Sequence, residues 1–343
     1  MRAMKPEDRF VEKVRALLPQ REGVILGPGD DAAVVAGSSG PIVATTDMLV
    51  ESVDFLAGEE PDVIGRRAVA VNVSDLAAMG ALPSWFLLSI GFPTARGEDF
   101  PLAIARGAIA RGDQFGASLV GGDLSNAAVI VVSVAMWGNP AGNLMTRDGA
   151  SPGELLYLSG DPGRAAAGLR LARRLEEFSR HGGAATPRFS GLSTPHVEEL
   201  LRAYRDPEPR LALGSRLARE AIATAAIDVS DGLGVDAGRL ARASGVRLEI
   251  DALALPVSAS LRAFAQIEGE DPVDLIVNGG DDYELLFCAP ESAEEGFEEI
   301  AGESGVALWR IGRVVPGSGV ILRQGRNERE IGDAGHDHFE TPR

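Results

Sequence analysis

The chain has 343 residues, 33 basic against 50 acidic, a formal net charge of −17 and 45% hydrophobic residues. That balance belongs to a folded protein long enough for two domains, and it excludes a disordered or collagen-like chain. The acidic field repels nucleic-acid backbones and anionic membrane surfaces, so neither is expected as a partner. The single cysteine, Cys288, allows no internal disulfide and no cysteine-based zinc cluster. The four histidines, His181, His196, His336 and His338, are too scattered for a His-rich metal site. No apolar run approaches about 18 residues. The opening MRAMKPEDRF lacks a signal-peptide core, so a cytoplasmic protein is expected.

In chain order, residues 6–18 carry helical spacing (Phe10, Val14, Leu17, Leu18) and stop at Pro19. GPGDDAAVV and PIVATTDMLV read as strands with acidic residues at or near one end. Residues 62–80, DVIGRRAVAVNVSDLAAMG, read as a helix ended by Gly80 and Pro83. SWFLLSIGF is a buried strand, 98–115 a helix, and ASLVGGD and AVIVVSVAMWG are strands. Over 139–153 the composition turns to Gly, Asn, Pro and Ser, and a domain boundary is expected there, giving 1–148 and 149–343. ELLYLSG then leads into a helix at 163–177, and 179–195 is a polar connection. A helix near 211–223 precedes AAIDVSDGLGVDAGRLARASG, a strand, tight turn and helix. VRLEID, YELLFCA and GVALWRIGRVV are strands, with SAEEGFEEIAGES a helix between the last two. Trp85, Phe86, Trp137 and Trp309 read as core, and Cys288 as a buried structural thiol.

Nearly all the positive charge is arginine; the only lysines are Lys5 and Lys13. A Walker-type phosphate loop needs Gly-Lys-Ser/Thr and a protein-kinase site needs a strand lysine, so neither can be assembled. The acids recur beside apolar runs, next to Gly, Ser or Thr. They are Asp30 and Asp31 in GPGDD, Asp47 in ATTD, Asp75 in NVSD, Asp123 in VGGD, Asp228 and Asp231 in AIDVSD, and Asp281, Asp282 and Glu284 in NGGDDYEL. One Asp-Gly is ordinarily a turn; this recurrence asks for more. Asn72, Asp75 and Met79 share one helix face. Carboxylates at strand ends converge on a crevice in an α/β sheet, and packing them together requires cations. Oxygen-only ligands suit Mg²⁺. Phosphates would be held by metal, by the backbone at Gly27–Gly29, Gly121–Gly122 and Gly279–Gly280, and by an arginine. Arg147 in MTRDGASPG, at the domain junction, is the candidate; otherwise it is a solvated surface charge.

Taken in order, GPGDDAAVV, TTDMLVESVDF, AVNVSDLAAMGALP, VGGDLS, TRDGASPGE, AIDVSDGL, NGGDDYELLF and GHDHF resemble the motifs of the thiamine-monophosphate kinase family. That family lies in the aminoimidazole ribonucleotide synthetase-like superfamily, and the resemblance covers essentially the whole chain. It implies an α/β (α+β) fold of two domains, the first for ATP, Mg²⁺ and dimerisation, the second completing the active site. It implies a homodimer whose N-terminal sheets pair into a barrel. The implied reaction is direct in-line transfer of the γ-phosphoryl of ATP to thiamine monophosphate, giving thiamine diphosphate. Ligands implied for several Mg²⁺ ions are Asp30, Asp31, Thr45, Thr46, Asp47, Asp75, Asp123, Asp228 and Asp231. Implied nucleotide contacts are Gly121, Gly122, Arg147 and Ser230, with Asp47, Asp123 and Arg147 catalytic. Implied substrate contacts are Asp54, Asp281 and His336. Asp54 stands where the family often has His, and His336 where it usually has an aromatic. An acid at 54 still attracts a cationic thiazolium or pyrimidine, and His336 can stack.

Superfamily rivals separate on residues. Selenophosphate synthetases carry an N-terminal reactive Cys or selenocysteine with a nearby Lys, and here that region has no Cys. The hydrogenase-maturation relative ends in a carbamoylated Cys, whereas this chain ends FETPR. An aminoimidazole ribonucleotide synthetase would carry a glycine- and lysine-bearing N-terminal segment that is not found. A non-catalytic Mg²⁺/nucleotide sensor is the alternative from another class.

Overall fold

A computed structural model describes residues 6–19, 23–26, 34–37, 39–180, 189 and 191–332. The chain divides into two compact units, Met1–Leu76 with Ala81–Pro140, and Ala77–Gly80 with Ala141–Arg343.

The first unit begins with α1 (Pro6–Leu17) and the short antiparallel pair β1 (Val24–Leu26) and β2 (Val34–Val35). It continues with β3 (Val43–Val50), α2 (Pro61–Ala78), β4 (Ala81–Phe92), α3 (Asp99–Gln114), β5 (Ser118–Asn126) and β6 (Val131–Pro140). The strands form a sheet in the order β3-β6-β4-β5. The β4–β5 pair is parallel, because α3 carries the chain back across the sheet; the other pairs are antiparallel. Val132, Val134 and Met136 of β6 alternate inward and are fully buried. Nearly all of α2 is buried, as its apolar residues all round require. A Cβ on Gly65 would lie 1.9 Å from the carbonyl oxygen of Ile104, and one on Gly107 would lie 2.0 Å from that of Asp62. Glycine is what lets α2 and α3 cross in backbone contact. Gly80, at φ 68, follows the end of α2. Pro83, expected to help end the helix, instead lies inside β4 where the register with β6 shifts, a place where a strand tolerates proline.

The second unit contains β7 (Leu155–Ser159), α4 (Arg164–Arg180), α5 (Thr194–Arg205), α6 (Leu211–Arg219), β8 (Ala225–Val229) and α7 (Leu233–Ser244). After these come β9 (Arg247–Asp251), α8 (Ala259–Glu268), α9 (Pro272–Asn278), β10 (Glu284–Ala289), α10 (Phe297–Ser304), β11 (Leu308–Val315), β12 (Gly319–Gln324) and β13 (Asn327–Ile331). The sheet order is β13-β12-β9-β11-β7-β10-β8, antiparallel except for β12 beside β9. Every residue of β10 is buried, because both faces are covered. Leu286 and Cys288 join the core that includes residues of α4, α7, α8 and α9, while Leu285, Phe287 and Ala289 join the one with residues of α6 and α10. Burial pushes the Cys288 thiol far up, in keeping with a structural role.

Helix α5 begins inside the stretch expected to be a connection: Ser193 caps it by accepting from the His196 backbone N–H, with Pro195 in the first turn. Trp309 is 40% exposed rather than core, and its indole N–H donates to the Gly160 carbonyl at 2.9 Å. Among the described residues no helix is long and apolar enough to cross a membrane.

Candidate active site

In the first unit the acids do not all stand at strand ends. Asp47 is within β3 and Asp75 is inside α2, both partly buried. Thr45, Asp47 and Leu49 alternate onto the more buried face of the sheet. There the Thr45 hydroxyl donates to Asp75 Oδ2 at 2.5 Å, joining two motifs thirty residues apart. One turn before Asp75, Asn72 is fully buried and its amide donates to the Ala68 carbonyl at 2.9 Å. Thr46 faces the other way and donates to the Val134 carbonyl at 2.9 Å. Asp123 shares that second face: the register runs Met48 opposite Ser133, Ser133 opposite Ser89, and Ser89 opposite Asp123. It also lies on the far edge strand, three strand spacings or about 14 Å from β3. One copy of this sheet therefore does not bring Asp47 and Asp123 together. Within this sheet the two-residue alternation and the strand order set Asp47 and Asp123 apart.

Gly122 is explained by packing. A Cβ there would meet the Leu88 carbonyl oxygen at 1.9 Å, so glycine lets β5 lie against β4; at Gly121 the nearest atom is Leu87 Cδ2 at 3.1 Å. Asp54 accepts the Val50 N–H at 2.7 Å and closes the turn after β3. Asp30, Asp31 and Gly27–Gly29 lie outside the described residues, as does His336.

In the second unit Asp228 is buried within β8, and the turn from β8 to α7 carries Ser230 and Asp231. Asp236, in the first turn of α7, anchors this turn. Its Oδ2 accepts the Ser230 and Asp231 N–H groups, each at 2.9 Å. Arg239 Nη1 lies 2.6 Å from Asp236 Oδ1 and 2.5 Å from Asp231 Oδ2. Burial pushes Asp236 up to about 6, against the pull of the backbone N–H bonds and Arg239. Fifty residues on, the NGGDDYEL loop is stitched to the same turn. The Asp281 N–H donates to the Ser230 carbonyl at 2.7 Å, and the Tyr283 N–H to that of Val229 at 2.8 Å. Asp282 turns away to the N-terminal end of α4, where it accepts the Gly163 N–H at 2.7 Å and the Ala165 N–H at 3.4 Å. Desolvation raises it well above the usual carboxylate range. Glu284, 1% exposed, is clasped by Arg210 through two contacts of 2.6 Å and by the Ser159 hydroxyl at 2.6 Å. Arg147 is exposed, and its carbonyl accepts the Ser244 hydroxyl at 2.7 Å.

The sequence reading missed Asp236, Arg239, Arg210 and Tyr283. An acid in the first turn of a helix after a tight turn was the available signal for Asp236. For Arg239 the signal was its i,i+3 spacing from Asp236 on one helix, whereas Arg210 carried none, its partner Glu284 being distant in sequence. Among the described residues no group of three or more His, Cys, Asp or Glu is placed to hold a metal ion. Mg²⁺ commonly takes one or two carboxylates and completes its shell with waters and substrate phosphates, and the oxygen donors Thr45, Asp47 and Asp75 fit that habit.

Comparison with known proteins follows the same division. Residues 29–139 match the AIR synthase related protein N-terminal domain, and residues 151–324 match the C-terminal domain of that family. Thiamine-monophosphate kinase of Caulobacter vibrioides is 36% identical, over 93% of this chain and 87% of the relative. The crystal structure of thiamine-monophosphate kinase from Stenotrophomonas maltophilia superposes with a TM-score of 0.79 at 36% identity, covering 91% of this chain and 95% of that one. AaThiL complexed with AMPPCP and TMP superposes at 0.75 with 31% identity, covering 90% and 91%. Motif order, two-unit fold and near full-length identity agree, and the chain belongs to the thiamine-monophosphate kinase family of AIR synthase related proteins.

Proposed function

We propose that this chain transfers the γ-phosphoryl group of ATP directly to the phosphate of thiamine monophosphate, forming thiamine diphosphate with Mg²⁺. The observation that carries this reading is the likeness, over 90% of the chain, to a structure complexed with AMPPCP and TMP. The chemistry of the residues agrees. The acceptor phosphate oxygen is already anionic and needs no general base, so alignment and charge neutralisation are the protein's task. Lysine is confined to Lys5 and Lys13, which leaves metal, backbone and arginine to meet the phosphates. Bound Mg²⁺ supplies neutralisation between the two phosphates.

In this reading the first unit holds metal and nucleotide through Thr45, Asp47, Asp75 and Asp123, with Asp30 and Asp31. The second unit offers Asp228, Ser230 and Asp231 to the nucleotide side and Asp281 to the substrate, and Arg147 and His336 keep the roles the resemblance implies. Thr46, Gly121, Gly122 and Asp54 act through the sheet and its turns. The working form is a homodimer. Support comes from the sheet face bearing Thr46, Met48 and Asp123, on which Met48 is 59% exposed.

The test is ATP turnover with and without thiamine monophosphate, in Mg²⁺ and in EDTA, with products resolved. Mg²⁺-dependent appearance of thiamine diphosphate, matched mole for mole by ADP, is expected. ATP consumption indifferent to thiamine monophosphate, or nucleotide binding without turnover, would overturn the proposal and favour a sensor.

A further inference from the structure

We propose that Tyr283 is a positioning residue whose hydroxyl aims the Asp281 carboxylate at a cationic ring of the acceptor substrate, a step that rests on the thiamine-monophosphate reading above. Two non-glycine residues in this short loop adopt left-handed backbone, Asp281 at φ 68 and Tyr283 at φ 53. Asp visits this region with modest penalty, but an aromatic residue there is an outlier. Such conformations persist only where the surroundings over-determine them, and they gather at ligand sites.

Here the determinants are visible. The N–H groups of Asp281 and Tyr283 are tied to Ser230 and Val229. Asp282 is tied to the start of α4, and Glu284 to Arg210. Gly280 has no room for a side chain, since its Cβ would meet the Ser230 carbonyl oxygen at 2.5 Å. Held at both ends, the loop places residues 281 and 283 in hydrogen-bond reach, and the Tyr283 hydroxyl donates to Asp281 Oδ1 at 3.1 Å. Tyr283 is 8% exposed, whereas Asp281 is partly exposed. A donor on a largely buried residue thus orients a carboxylate that solvent can reach. A purely structural kink would be met more cheaply by glycine. Asp281 and Tyr283 keep the side chains despite the strain. An oriented carboxylate complements a thiazolium or protonated aminopyrimidine.

The test compares wild type, Tyr283→Phe, Asp281→Asn, the double variant and Asp281→Gly. Tyr283→Phe keeps the ring and removes only the hydroxyl. It is expected to raise KM for thiamine monophosphate about tenfold while KM for ATP stays within about twofold, the size of one hydrogen bond to a charged group. On the Asp281→Asn background the same change adds nothing further, because Tyr283 acts through that carboxylate. Asp281→Gly relieves the left-handed strain, so Tm rises while affinity for thiamine monophosphate falls. An unchanged KM for thiamine monophosphate in Tyr283→Phe, an equal rise for ATP, or additivity in the double variant would overturn the positioning role. Wild-type turnover separates the two levels. Its absence overturns the functional reading and this step with it, while its presence with any of those three results overturns this step alone.

Discussion

Asp236 offers a sharp quantitative test of how the β8–α7 turn is held. It is fully buried, accepts two backbone N–H groups and pairs with Arg239, yet its ionisation is raised from 3.8 to about 6 by burial. A raised folded-state value means that the fold prefers the protonated carboxyl. Its stabilising contribution is complete below 3.8, shrinks as pH rises toward about 6, and is gone above that. The interval of roughly two pH units corresponds to about 3 kcal/mol. Between about pH 4.5 and about pH 7.5 the loss is about 2 kcal/mol, because part of the unfolded-state titration lies below that window. Asp236→Asn mimics the protonated form and removes this titration. In metal-free protein in EDTA, the stability of the variant relative to wild type should therefore climb by about 2 kcal/mol across that window, read by urea unfolding at each pH. Asp282, also raised, titrates in both proteins and cancels. Turnover should fall even as stability rises, since Arg239 then serves Asp231 alone. Parallel pH profiles for the two proteins would refute the account of Asp236 as a buried charge.

Two other outcomes follow from packing. Glu284→Ala strands the Arg210 guanidinium without its bidentate partner and should destabilise the second unit by about 3–5 kcal/mol, whereas Arg210→Met with Glu284→Leu should recover much of that; calorimetry of the three proteins decides it. Gly122→Ala drives a methyl into the Leu88 carbonyl and should cost about 3 kcal/mol or more, seen as a lower Tm without nucleotide; weakened ATP binding at unchanged Tm would instead make Gly122 a phosphate contact.

Much of the site chemistry was legible because it is local. The alternation in PIVATTDMLV, the all-round apolar run of residues 62–80 and the strand–turn–helix of AIDVSDGL are patterns of two to four residues. The structure returns them as β3, α2 and the β8–α7 turn. Helix α5 escaped because Ser, Thr, Gly and Pro before it resemble a loop, although Ser193 and Pro195 are also a helix start. The segments at 259–268 and 272–278 escaped although each carries a helix start, Ser258 before the first and Asp271 with Pro272 at the second.

From the sequence alone came the confinement of lysine to two positions and the oxygen-only acid set, and the order of the motifs carried the resemblance to the kinase family. These are properties of residue identity along the chain, and no folding is needed to see them. The tertiary structure alone decided which acids can meet. Strand register between β3, β6, β4 and β5 sends Thr45 and Asp47 to one face and Thr46 and Asp123 to the other, and it is set by pairings tens of residues apart. It alone showed that Arg239 and Arg210 neutralise Asp231, Asp236 and Glu284 from within, and that Asp281 and Tyr283 bear left-handed backbone. Such features depend on which distant groups share a low-dielectric interior. A local pattern of side chains contains no term for that.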